Sequence, residues 1–243
     1  MKKITLIVVL FTIGFGQYPD AKMVLQKIDE NMSAKSQIVE STMTIHGKRS
    51  SRSVTSISWI EGTEKSFTEY LAPAREKGTK MLKLGDQLWM YSPQSDRTIR
   101  ISGHMLRQSV MGSDLSYEDM MEDRKLEELY SAKIVGEEDI DGHICWVMEL
   151  TAAVDDLAYH SQKLWVDKEH FVYRKQQLFA KSGKLLKVVE IADLIQIDGR
   201  WYPKKMLFQD VLKSGKGTEF IVESVKFDEV ISDHIFSKAA LRK

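Results

Sequence analysis

The chain has 243 residues, 43% of them hydrophobic, and its 35 Lys+Arg balance 35 Asp+Glu. A formal charge of zero excludes the usual nucleic-acid binder, whose affinity comes from neutralising phosphates with an excess of basic residues, and no polybasic block marks a site for anionic lipid. The length suits one β-rich domain of about 200–250 residues, with no Pro/Ser-rich linker, low-complexity tract or solenoid-period repeat to divide it.

Met1–Gln17 pairs Lys2 and Lys3 with an apolar run from Ile4 to Phe15 and small residues after it. That is the layout of a secretory signal, expected to be cleaved near Gly16-Gln17, and its apolar run is short of the roughly 20 residues a bilayer span needs. Residues 18–243 are then a single exported domain, placed in the periplasm. Tyr18–Asn31 sets Val24, Leu25 and Ile28 at helical spacing behind Asp20, which predicts an amphipathic helix. Strict alternation follows over Gln37–His46, and strands are predicted at Arg52–Ile60, Lys65–Leu71, Thr79–Leu84, Gln87–Ser92 and Arg97–Ser102. Gly85-Asp86 is a hairpin signal, and Pro93, lacking an N–H, closes its strand.

A Met-rich segment with Gly breaks comes next: Met105, Leu106, Met111, Met120 and Met121. Thioether side chains adapt to ligands of irregular shape, so the segment reads as a flexible apolar lid. Ser116 with Asp119 three residues on predicts a helix cap rather than a catalytic or metal motif, and Arg97, Arg100 and Arg107 are candidates to hold the lid by a hydrogen bond to a carbonyl or to Asp114. Asp119–Tyr130 is charged and helical. Strands resume at Ala132–Glu137, His143–Leu150, Ser161–Asp167, Phe171–Lys181, Lys184–Ile197, Tyr202–Lys213 and Thr218–Phe227. Tight links such as Asp141-Gly142, Ser182-Gly183 and Asp198-Gly199 require antiparallel neighbours, since a parallel pair needs a crossover of a dozen or more residues. A sheet this large curls.

Alternation assigns faces. Lys83 is expected to point to water, with Leu82 and Leu84 inward; Ile144, Trp146, Met148 and Leu150 share the inner face, as do Phe220 and Val222. The sole cysteine, Cys145, sits among apolar neighbours and reads as a small buried hydrophobe. The fold class is therefore α+β, mainly β: a curved antiparallel half-barrel with an N-terminal helix and a helical lid around an apolar cavity. Leu82, Leu84, Leu88, Trp146 and Met148 are expected on its floor, and Met105, Leu106, Met111 and Met120 in the lid. Strands apolar on both faces, Leu88–Tyr91 among them, predict a covering layer outside.

No catalytic constellation emerges. The six histidines form no HExxH or His-x-His pair, Glu169-His170 and Asp141-Gly-His143 read as turn chemistry, and no Gly-x-Ser-x-Gly elbow, Cys–His arrangement or phosphate loop is present. The expectation is a non-enzyme with no metal and no cofactor.

Pro73, Lys77 and Gly78, Leu88-Trp-x-Tyr-x-Pro93, Met111-Gly-Ser-Asp-x-Ser-Tyr-Glu-Asp119, Asp198-Gly-Arg-Trp-Tyr-Pro203 and the closing Ile235-Phe236-Ser237 to Leu241 together resemble the outer-membrane lipoprotein-sorting family of LolA-like periplasmic carriers. The resemblance spans nearly all of the chain after the signal. It implies a lidded half-barrel, acting as a monomer, that carries the acyl chains of a lipoprotein or lipid from the inner toward the outer membrane. An inner-membrane transporter of RND or ABC type would be the donor, with an outer-membrane acceptor. The alternative is a lipid-sensing or partner-binding regulatory module of the same fold without transport.

Overall fold

A computed structural model describes residues 18–242; the expected signal segment lies outside them. Asp20 caps the first helix, its side chain accepting from the Lys22 N–H at 3.1 Å, and α1 runs Ala21–Met32. Among the described residues thirteen strands follow, each overlapping one expected from alternation and turn signals. They are β1 Ser36–His46, β2 Ser51–Glu61, β3 Lys65–Ala72, β4 Lys80–Leu84, β5 Gln87–Ser92, β6 Arg97–Ile101, β7 Tyr130–Ile140, β8 His143–Ala152, β9 Ser161–Asp167, β10 Tyr173–Phe179, β11 Leu185–Ile197, β12 Arg200–Asp210 and β13 Thr218–Phe227. All pair antiparallel in one sheet ordered β6-β5-β4-β3-β2-β1-β13-β12-β11-β10-β9-β8-β7. Two meanders thus meet where β1 pairs with β13, and the sheet never closes.

The turns show why the chain reverses where it does. Asp141-Gly142 and Asp198-Gly199 both have positive φ at both residues, the geometry whose twist matches a two-residue hairpin. Between β12 and β13, Gly217 has a φ of +89°, and a Cβ there would lie 2.7 Å from the Phe208 carbonyl oxygen, so no other residue fits that turn.

Register carries one face across the whole sheet. Met43 opposes Val54 and Phe220, Phe220 opposes Met206 and Met206 opposes Ile191; two residues along β11 on the same face, Val189 opposes Gln176, and that row continues through Leu164, Met148 and Ile134. This face is concave. Helix α1 lies on it and touches both β7 and β12, strands five places apart that only a curved sheet brings to one helix. Val24, Leu25 and Ile28 pack there on Met148, Leu150, Leu164 and Val166.

Between β6 and β7 the chain crosses the same concave face as two 3-10 turns, Gly103–Arg107 and Val110–Gly112, and two short helices, α2 Tyr117–Met121 and α3 Leu126–Leu129. The continuous helix expected from Asp119 to Tyr130 is broken at residues 122–125. The Asp29 carboxylate accepts from the Leu126 and Glu127 N–H groups at 3.0 and 3.1 Å, which starts α3 as a separate element.

On the convex face, Phe236 and Leu241 of the closing segment fold back onto Phe67, Leu82 and Trp89. The motif residues at either end of the resemblance therefore meet in one cluster. This is the outer covering that doubly apolar strands require.

Candidate functional site

The segment Gly103–Met121 fills the curve of β1–β6. Met43, Val54, Tyr70, Met81, Leu88 and Ile101 present the sheet side; Val110 and Tyr117 are buried against them, and Met105, Leu106, Met111, Met120 and Met121 pack around the margin. Leu88 and the four lid residues expected from sequence are thus brought together. Trp146 and Met148 also face the concave side, but under α1 at the other end of the sheet. Leu82 and Leu84 do not join them. They lie on the convex face beneath Phe236 and Leu241, and the expectation that they line the floor is corrected. Ile144, at the strand end, is half exposed.

The reason for the inversion is Lys83. It does not reach water: it is 4% exposed and points into the concave side. There its ammonium donates to the Thr63 and Met121 carbonyls, both at 2.8 Å, and to Asp123 at 2.6 Å. Three acceptors satisfy the three donors of a buried ammonium, which removes the main cost of burying it.

Polar contacts of this kind fasten the lid along its length. The Arg52 guanidinium on β2 donates to the Met111 carbonyl, and Lys213 donates to the Ser109 hydroxyl and the Ser113 carbonyl. Asp114, nearly buried, accepts from the Thr218 hydroxyl at 2.6 Å and from the Asp210 N–H at 3.0 Å, while Thr218 Oγ1 accepts from the Asp114 N–H at 2.9 Å. Asp119 closes a capping box with Ser116, its carboxylate accepting from the Ser116 N–H at 2.6 Å; it also accepts from Lys187 and from the Tyr159 hydroxyl at 2.5 Å. Burial and the Asp119 charge push the Tyr159 phenol well above its ordinary pKa, so it stays a donor at any physiological pH.

The predicted cap is present, whereas the expected arginines do not hold the lid: Arg97, Arg100 and Arg107 are exposed. Arg52, Lys187, Lys213 and Thr218 do that work, and sequence reasoning missed them. A signal existed only for Lys187, which alternates with Val189 and Ile191 on an inward row.

A cavity of about 460 Å³ adjoins the lid, with Arg107, Ser109, Tyr159, Lys187 and Leu212 among its walls. Its walls mix cations, hydroxyls and acids with the apolar Leu157, Ala158 and Leu186, so it is an amphipathic hollow beside the apolar lid seat. Cys145 is buried on the convex face with Val147 and Trp165, and burial pushes its thiol up to about 11. That is the environment of a packing residue, not a nucleophile. His143 and His170 both lie against Asp167, at 3.4 and 3.0 Å, and Arg174 adds a contact at 2.8 Å. The acid is thereby occupied in an ion-pair cluster that ties the β9–β10 turn to β8.

A curved, unclosed antiparallel sheet with one helix and a fastened lid in its concave face defines the class: an open half-barrel of the LolA type. Comparison with known proteins agrees. A family model whose description reads "uncharacterized protein" matches residues 62–243. The structure superposes with a TM-score of 0.74 on a LolA superfamily protein from Nitrosomonas europaea at 26% identity, covering 90% of this chain and 98% of that one. An outer-membrane lipoprotein-sorting protein domain from Vibrio parahaemolyticus matches at a TM-score of 0.80 and 23% identity, with 92% and 98% coverage. A DUF1329 family protein from Desulfovibrio piger matches at 0.81 and 24%, with 90% and 97% coverage. No curated protein matches the sequence. The chain belongs to the family that this family model describes, and its fold is the LolA-type half-barrel.

Proposed function

We propose that this protein is a periplasmic carrier that takes up the acyl chain of a lipid or lipoprotein on the concave face beneath the Met-rich lid and transfers it from the inner toward the outer membrane. The observation that carries this reading is the lid seat. An apolar surface from Met43, Val54, Met81, Leu88 and Ile101 is covered by Val110 and Tyr117 with flexible Met and Leu side chains around their margin, all on short turns and helices rather than on a strand, and the lid is fastened at its margins by side-chain-to-backbone hydrogen bonds.

In the closed state the lid stands in for the cargo. Opening it exposes apolar area at a cost of about 25 cal/mol per Å². An acyl chain of about 16 carbons returns roughly 0.8 kcal/mol per buried CH₂. Binding is therefore the difference between two occupants of one surface, and a lid that closes again pushes the cargo out. Release to an acceptor needs no chemical step.

Lipid extraction and native mass spectrometry on protein purified without detergent test the reading. An acyl lipid that co-purifies, or that binds when fatty acid, phospholipid or acylated peptide is added, is the expected result. Protein that stays empty through all of these additions would overturn it and favour a partner-binding module.

A further inference from the structure

The neutral chain conceals a polar molecule. Strand register places the turns of residues 47–50, 180–184 and 211–217 at the same end of the sheet, the end where residues 109–114 of the lid are fastened. Because β1, β13, β12, β11 and β10 are consecutive neighbours, these three turns form one continuous edge. The first and third are bonded together, Lys216 N–H to the His46 carbonyl and His46 N–H to the Gly217 carbonyl, both at 2.9 Å. Each turn carries two cations and no acid: Lys48 and Arg49, Lys181 and Lys184, Lys213 and Lys216, all exposed. At the middle of the edge Leu212 is 59% and Val211 39% exposed. The turns flanking this stretch at the same end are not basic, 73–79 mixing Arg75 and Lys77 with Glu76 and 153–160 carrying Asp155 and Asp156, and the turns at the opposite end carry Glu64, Asp86, Asp141, Asp198, Asp228 and Glu229 with Lys168.

We propose that this basic edge docks the protein on the surface of an anionic lipid bilayer, with Leu212 and Val211 entering the interface between the lysines. Lysine stems cover apolar surface while their ammonium groups stay at headgroup level, so apolar side chains between lysines suit a bilayer interface. A fixed acidic protein would instead need complementary carboxylates at set positions, and apart from Lys213, which is held by Ser109, Ser113 and Asp210, the long, exposed side chains here are not arrayed for that. The opposite end, mainly acidic, is repelled, which orients the molecule with this basic edge toward the bilayer. The assignment rests on the carrier reading only for its purpose: an acyl chain leaving the lid seat would enter hydrocarbon without crossing water.

The test is co-sedimentation of the purified protein with vesicles of phosphatidylethanolamine and phosphatidylglycerol, and with vesicles of phosphatidylcholine. Binding to the first only, released by added salt, is expected. Each basic side chain at an anionic surface contributes about fivefold to partitioning, so the reversal K48E/R49E/K181E/K184E should weaken binding at least about a hundredfold. Glu229→Lys at the far end should not weaken it, and Leu212→Asp should lower it about tenfold. Equal binding to both vesicle types, or a reversal variant that binds as well as the parent, would overturn the proposal. So would an edge that ignores vesicles and captures a soluble acidic protein instead. Displacement of a fluorescent fatty acid in vesicle-free buffer reads the carrier function separately: its failure with vesicle binding intact would refute the carrier reading and leave the docking edge standing.

Discussion

Lys83 and Lys187 are lysines that face inward, and both are explained by what they hold. Lys83 ties the end of the lid to the β2–β3 turn, and Lys187 neutralises the carboxylate of the α2 capping box. Replacing Lys83 with Met leaves two carbonyls and Asp123 without their donor, and denaturant unfolding should report a loss of about 1–3 kcal/mol. Asp167 makes a second residue-scale test. Desolvation pushes its carboxyl up, but hydrogen bonds from His170, Arg174 and the Glu169 and His170 N–H groups outweigh it and leave it at about 2. A depressed carboxylate stabilises the fold above its unfolded value of about 3.9 and loses that contribution as pH falls through about 2. Asp167→Asn should therefore be less stable than the parent by about 2 kcal/mol at neutral pH, with the gap closing in acid. Cys145 should resist maleimide in the folded protein and react once it is unfolded, since its thiol is both covered and poorly ionised. Inward lysines are where alternation misled. Lys83 read as the polar partner of Leu82 and Leu84, when three acceptors were waiting for it across the concave face, and those acceptors come from residues 63, 121 and 123, which local pattern cannot place.

At the scale of elements, strands and turns were legible because period-2 alternation and Asp-Gly links are local signals. The Met-rich segment was legible as a lid by composition, but its course was not. Short 3-10 turns, and Met111 at a φ of +50°, follow from tertiary fastening rather than propensity. The closing segment escaped notice as a cover, although strands apolar on both faces required one, because nothing local says that Phe236 and Leu241 return to β4 and β5. The fastenings predict how the lid moves. Arg52→Leu and Thr218→Val each remove lid bonds without cutting into the apolar seat, at about 1–2 kcal/mol apiece. Both variants should bind an environment-sensitive apolar dye more strongly than the parent, with little change in far-UV circular dichroism. Gly217→Ala, by contrast, strains the β12–β13 turn itself and should cost more than about 1 kcal/mol of global stability.

For the molecule as a whole, net charge was the least informative number in the sequence. Zero overall describes a chain whose antiparallel connections gather the basic turns of residues 47–50, 180–184 and 211–217 into one stretch of a sheet end, a grouping visible only once strand order is known. Fold and family were legible because motifs far apart in sequence pack together; the membrane-facing edge was not, because its six cations come from three separate turns. The central claim is that the lid and the acyl chain compete for one surface, and hydrogen exchange with and without saturating fatty acid measures that competition directly. The account predicts faster exchange on ligand binding at residues 103–121 alone, with the sheet amides around them unchanged. Ligand that binds while those residues keep or gain protection would contradict it.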